Sequence, residues 1–141
     1  MSPTLNYRLI FDGVIAGNPR CGGLGIVLIN PDGLICAQIS HPLEYEPQSV
    51  YISKYLALQL GLFHLQTLNP LDLGNLEVVS DSRLLIGQLR GIFPIENPDL
   101  KKLYSKVIEY LKEFPSYTIT FLPRKYNRLA NSLAHNAITS T

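Results

Sequence analysis

Two runs of branched apolar residues, Gly22 to Asn30 and Leu34 to Ser40, meet at the tetrapeptide Asn30-Pro31-Asp32-Gly33. Proline presets φ and glycine tolerates positive φ, so the chain reverses there and the runs pair as antiparallel strands. Upstream, residues 7–11 alternate, with Tyr7, Leu9 and Phe11 on one face and Arg8, Ile10 and Asp12 on the other, which is strand periodicity. Asp12-Gly13 is expected to end that strand and Gly17-Asn18-Pro19 to turn the chain. A three-stranded antiparallel meander results.

The pattern then becomes helical. Ser49 is a good N-cap for a helix to about Thr67, stopped by Asn69-Pro70. Leu76 to Ser80 suits a short buried strand. Ser82 to Arg90 predicts a short helix with Gly91 just past its end. Asn97-Pro98 opens another, carrying Leu100, Leu103, Tyr104, Val107, Ile108 and Leu111 at helical spacing as far as Pro115. Tyr117, Ile119 and Phe121 alternate as a fifth strand, and a final helix carries Leu129, Leu133 and Ala137. The order β-β-β-α-β-α-α-β-α implies an α/β fold with a mixed five-stranded sheet flanked by helices. At 141 residues, with no repeat or linker, residues 1–141 are expected to form a single domain.

Charge excludes some roles. Lys and Arg total 12 against 11 Asp and Glu, a net +1, which argues against a bulk electrostatic grip on nucleic acid. Only 16% of residues are charged and 46% are apolar, so the core is rich and the surface bland. No apolar run reaches the roughly 18 residues of a membrane span, and Met1-Ser2-Pro3-Thr4 lacks a signal-peptide build, so no membrane role and a cytoplasmic location are expected. Cys21 and Cys36 are too few for a zinc site, and the hairpin register sets them about 20 Å apart along the ladder. Both are read as free, buried thiols. The Gly-rich segment 22–25 opens a strand and lacks a following Lys-Ser/Thr, so it is no phosphate loop. The eight tyrosines are scattered and form no stacking platform.

Two carboxylates, Asp12 at the end of the first strand and Asp81 just after the fourth, are placed to converge on one edge of such a sheet. Either alone suits ordinary turn or cap chemistry. Around them lie Phe-Asp-Gly-Val-Ile-Ala-Gly-Asn-Pro (11–19), Gly-Leu-Gly-Ile-Val-Leu (23–28), Asn-Pro-Asp-Gly (30–33), Lys-Tyr-Leu-Ala-Leu (54–58), Ser-Asp-Ser-Arg-Leu-Leu (80–85) and Pro-Arg-Lys-Tyr-Asn-Arg-Leu-Ala-Asn-Ser-Leu-Ala (123–134). In this order and spacing the chain resembles the ribonuclease H family, in its compact form without a basic protruding helix.

The resemblance implies a nuclease that cuts the RNA strand of an RNA–DNA hybrid, with four carboxylates holding two Mg²⁺ ions about 4 Å apart. Asp12 and Asp81 match the first and third of these. The second falls at Lys54, where the family pattern has glutamate, and the fourth at Asn131, where it has aspartate. Arg124, Asn127, Ala130, Leu133 and Ala134 match the rest of the last motif. A set carrying −4 in the family thus carries −1 here. A Mg²⁺ ion about 4 Å from an ammonium is disfavoured by several kcal/mol even at an effective dielectric near 20. Glu44 and Glu46 lie too far upstream to replace a ligand at 54, and His135, one turn beyond Asn131, reads as an ordinary helix-face histidine.

Lys54 is therefore expected to take over the metals' electrostatic task, its ammonium lying between Asp12 and Asp81. The expected function is a ribonuclease H-like protein with activity lost or severely impaired. No cofactor is expected, Mg²⁺ or Mn²⁺ serving only an active form. Arg83, Arg124, Lys125 and Arg128 are candidates for phosphate contacts, and Asn18 for the minor groove of a hybrid. The partner is an RNA–DNA hybrid, a structured RNA or a protein; the competing reading is an active, metal-dependent ribonuclease H. Restoring glutamate at 54 and aspartate at 131 would move the net charge from +1 to −2, so the near-neutral balance partly records those two positions.

Overall fold

The computed structural model describes residues 6–68 and 74–139. Strands β1 (Asn6–Ala16), β2 (Cys21–Ile29) and β3 (Ile35–Leu43) precede helix α1 (Val50–Leu68), strand β4 (Asn75–Ser80), helices α2 (Arg83–Leu89) and α3 (Pro98–Leu111), strand β5 (Tyr117–Phe121), a 3₁₀ turn (Arg124–Tyr126) and helix α4 (Arg128–Thr139). The five strands form one mixed sheet in the order β3-β2-β1-β4-β5. β1 and β3 run antiparallel to β2, and β4 runs parallel to both β1 and β5. The expected α/β architecture and element order are those observed.

Local chemistry explains the punctuation. At the hairpin turn Gly33 has φ +85°, its N–H donates to the Asn30 carbonyl at 2.9 Å, and the Asn30 side chain accepts from the Asp32 and Leu34 amides, each at 3.0 Å. Ser82 caps α2 by accepting from Leu85 N. Asn97 caps α3 by accepting from the Asp99 and Leu100 amides. Gly91 follows α2 at φ +76°, the left-handed exit that glycine adopts without strain.

Residues 22, 24, 26 and 28 of β2 face α1, whereas Gly23 and Gly25 face α4. Leu9, Phe11, Ile26 and Leu28 of the sheet thus join Leu58 and Leu62 of α1 and Val107 and Leu111 of α3 in one core. On the other face α4 approaches the sheet unusually closely. A Cβ on Gly25 would lie 2.0 Å from the Ala130 carbonyl oxygen, and one on Gly23 2.1 Å from that of Ala134. Two glycines under two alanines therefore seat α4 on β2 and β1. No helix among the described residues is long and apolar enough to cross a membrane.

Several sequence expectations need correction. β1 does not stop at Asp12-Gly13 but runs to Ala16, because β2 continues to pair with it as far as Ala16↔Cys21. β3 extends past Ser40 to Leu43, since Pro42 lies on an edge strand whose outer side needs no donor. α3 ends at Leu111 rather than at Pro115. Leu129 is exposed and Leu133 half-buried, while Ala130, Ala134, Ala137 and Ile138 form the buried face of α4. The two glycines opposite leave room only for small residues there. Cys21 and Cys36 are free, as expected, but half-buried and exposed rather than buried, Cys36 because it lies on the edge strand. The proposed stop at Asn69-Pro70 and the residues 1–4 fall outside the described residues.

Candidate functional site

The parallel ladder between β1 and β4 ends at Ile10↔Val79. Beyond it one flank of β1 is open, and side chains from both faces of the sheet meet at Asp12. Gly13 permits this: a Cβ there would lie 2.3 Å from the Ser53 backbone, so its absence lets α1 lie against β1. On α1 the next residue is Lys54.

Lys54 Nζ donates to Asp12 Oδ1 at 2.6 Å. Gly13 N donates to the same oxygen at 2.9 Å, and Asn131 Nδ2 to Oδ2 at 2.8 Å. A carboxylate only accepts, so Asn131 turns its amide nitrogen, not its oxygen, toward Asp12. Asp12 is 3% and Lys54 7% exposed. A buried pair of this kind persists only when its desolvation is met by further hydrogen bonds, and Gly13 N and Asn131 Nδ2 supply two here. Asn127, 1% exposed, donates to the Phe11 carbonyl at 3.3 Å and pins the start of α4 beside β1.

The expected position of Lys54 between both carboxylates is corrected. Its ammonium closes on Asp12, and the ion-pair partner of Asp81 is Arg124, with Nε 3.9 Å from Oδ2. Asp12 is held from α1 by Lys54 and from α4 by Asn131, whereas Asp81 follows β4 into the turn toward α2, flanked by the segment after β5 that carries Arg124. The Asp81 side chain is 1% exposed, and its Oδ2 has no hydrogen-bond partner.

Asp12, Lys54, Asp81, Arg83, Arg124, Asn131 and His135 all line one cleft of about 490 Å³. Its charged groups are three cations and two carboxylates. Arg83 is steadied by its guanidinium carbon 4.3 Å above the Phe121 ring, a cation–π contact. Asn18 lies elsewhere, in a separate hollow with Arg20 and Glu44, and Glu46 pairs with Arg20 at 2.9 Å, so neither glutamate replaces a ligand. Lys125 and Arg128 are exposed and do not line the cleft; Lys125 Nζ lies 5.0 Å from the Tyr126 ring centroid. Tyr51 and Ile15 also line the cleft. Their only signal in the sequence is proximity to Lys54 and Asp12.

A pair of divalent ions does not fit this donor set. Among the described residues no group of three or more His, Cys, Asp or Glu side chains is placed to hold a metal ion. Both Asp12 oxygens already face N–H donors, and one of those donors is a full positive charge.

A five-stranded sheet in this order, with one aspartate on the central strand, a second just after the adjoining strand β4, and α4 packed on β1 and β2, defines a ribonuclease H-like domain. The chain belongs to the reverse transcriptase-like family, whose model matches residues 10–137. It is 31% identical over 132 residues to ribonuclease HI of Halobacterium salinarum, covering 91% of this chain and 62% of that protein. It is 28% identical over 128 residues to a bifunctional protein of Mycobacterium tuberculosis, covering 90% of this chain and 34% of the relative. The chain therefore spans less than two thirds of the length of these curated relatives. The crystal structure of the Halobacterium salinarum ribonuclease H1 superposes with a TM-score of 0.85 at 29% identity, covering 96% of this chain and 99% of that one. The LC11 ribonuclease H1, solved in complex with an RNA/DNA hybrid, gives a TM-score of 0.85 at 26% identity over 95% of this chain and 97% of the other.

Proposed function

We propose that residues 1–141 act as one ribonuclease H-like domain that binds an RNA–DNA hybrid without metal ions and does not cleave it. The observation that carries this reading is the Lys54 ammonium 2.6 Å from Asp12 Oδ1 with Asn131 Nδ2 2.8 Å from Oδ2. The carboxylate at the centre of the site is neutralised from within the chain, and the two positions that would complete a ligand set carry an amine and an amide. Hybrid binding is supported by the similarity to a protein solved with an RNA/DNA hybrid. It is supported too by a cleft whose cations outnumber its carboxylates and so attract phosphate unaided. Arg83 and Arg124 in the cleft, with Lys125 and Arg128 on the adjoining surface, are the phosphate contacts in this reading; Asn18 serves the minor groove at a distance from them.

A labelled RNA–DNA hybrid tests both halves. The chain is expected to bind it with an affinity that falls steeply with salt and is unchanged by a chelator, and to leave the RNA strand intact in Mg²⁺ or Mn²⁺. Cleavage by the native chain that is lost on Asp12→Asn would overturn the non-catalytic reading. Absence of salt-dependent binding would overturn the nucleic-acid reading and favour a protein partner.

A further inference from the structure

We propose that Asp81 and Arg124 form a ribonucleotide subsite, in which the Asp81 carboxylate accepts the 2′-hydroxyl of the RNA strand and Arg124 takes the adjoining phosphate. This rests on the hybrid-binding reading above and assigns a specificity to it.

Buried polar atoms nearly always have a partner, so an orphaned one requires an explanation. Asp81 Oδ2 is such an atom, on a side chain 1% exposed that lines the cleft. The neighbouring backbone donor is committed elsewhere. The Ser82 amide donates to Ser80 Oγ at 3.1 Å, and Ser82 Oγ accepts from Leu85 N as the cap of α2. Arg124 Nε stands 3.9 Å away, beyond hydrogen-bond range. Its side chain is 82% exposed, so little holds it over the carboxylate.

The chemistry of the cleft selects the missing donor. Lys54, Arg83 and Arg124 line the cleft with only Asp12 and Asp81 opposing them, which disfavours a free divalent ion or an ammonium ligand. A neutral hydroxyl attached to an anion satisfies both needs, since the hydroxyl donates to Oδ2 while the anion draws Arg124 away from it. Arg83, steadied over Phe121, is a second cation for the same phosphate. An RNA strand presents a hydroxyl and a phosphate side by side at every residue, whereas a DNA strand lacks the hydroxyl. In this scheme Asp81 has exchanged metal ligation for recognition of the sugar.

The test compares two hybrids by fluorescence anisotropy, one with an ordinary RNA strand and one whose RNA strand carries 2′-fluoro sugars, which keep the A-form but donate no hydrogen bond. The native chain is expected to prefer the hydroxyl form about tenfold, as for a hydrogen bond to a charged group. Asp81→Ala should bring the two affinities within about twofold while its thermal midpoint does not fall. Arg124→Ala should weaken both hybrids equally, lower the salt slope by about one and keep the tenfold preference. A preference that survives Asp81→Ala overturns the proposal, as does a native chain with no preference. Mg²⁺ binding heat that disappears in Asp81→Ala overturns it in favour of a single-ion site. Displacement of the hybrid by millimolar ribonucleoside monophosphate would overturn the assignment to a strand in favour of a free nucleotide. If the native chain binds neither hybrid, the hybrid-binding reading fails with it; binding without an Asp81-dependent preference defeats this inference alone.

Discussion

Lys54 Nζ lies 2.6 Å from Asp12 Oδ1, and the contact joins α1 to the central strand at the point where β4 leaves it. With Asn131 on the other carboxylate oxygen, one aspartate ties together β1, α1 and α4. Elements that a metal centre would link through carboxylates are linked here through an ion pair and an amide. The Asp12 carboxylate is therefore satisfied from within the chain.

Removing the cation should be costly. Lys54→Met leaves a buried carboxylate with only the Gly13 and Asn131 donors, and breaking one side of a buried pair costs about 3–5 kcal/mol. Asn131→Ala removes a neutral donor and should cost less, about 1–2 kcal/mol. Urea unfolding of both variants checks the order. Equal, small losses would show that the pair adds nothing to stability.

The element order was legible because turn and cap residues carry it: Pro31 and Gly33, Ser82, Asn97-Pro98. Lys54, Asp12 and Asn131 were legible because the motifs around them fix their spacing. The partner of Asp81 was not, since Arg124 reaches it across 43 positions of sequence through the parallel pairing of β4 with β5. Nor was the buried face of α4, which is set by the backbone-to-backbone approach of Gly23 and Gly25 to Ala134 and Ala130. Large residues such as Leu129 mark a core stripe only where a helix stands at ordinary distance from a sheet.

Reversing both substituted positions should rebuild a metal site. Lys54→Glu/Asn131→Asp places two further carboxylates beside Asp12 with Asp81 nearby, and the mutual repulsion of the four should make the metal-free double variant less stable than the native chain. Mg²⁺ should then raise its stability by linkage, about 2.7 kcal/mol at a hundredfold excess over Kd, and leave the native chain unaffected. Thermal midpoints with and without Mg²⁺ measure this, and hybrid cleavage by the double variant alone would identify ligand loss as the cause of inactivity. A double variant indifferent to Mg²⁺ would place the obstacle elsewhere in the cleft.

The seat of α4 offers no slack. A Cβ on Gly25 would lie 2.0 Å from Ala130 O and 2.6 Å from Ala134 N, all backbone, so α4 must move as a body and carry Asn131 away from Asp12. Gly25→Ala is expected to cost about 3 kcal/mol or more. Gly33→Ala meets nothing within 4 Å but has φ +85°, and should cost only about 1–2 kcal/mol of backbone strain. Chemical denaturation of the two variants tests this ordering, and equal costs would mean that α4 yields easily.

Tyr55 makes stability depend on alkaline pH. It is fully buried and donates to Gln88 Oε1 at 2.7 Å. Burial, and secondarily repulsion from Tyr104, hold its phenol proton well above the ordinary value of 10.0. The unfolded chain loses that proton from about pH 10 upward while the folded one keeps it. The contribution is thus fully present below pH 10 and declines above it by up to about 1.4 kcal/mol per pH unit. Tyr55→Phe should cost about 1–2 kcal/mol at pH 7 by orphaning the Gln88 acceptor, yet lack this alkaline decline. The stability gap between native chain and variant should therefore narrow as the pH is raised from 9 to 11, as read by urea unfolding at each pH. Parallel stability curves for the two proteins over that range would show that the Tyr55 proton is held no more tightly than in the unfolded chain.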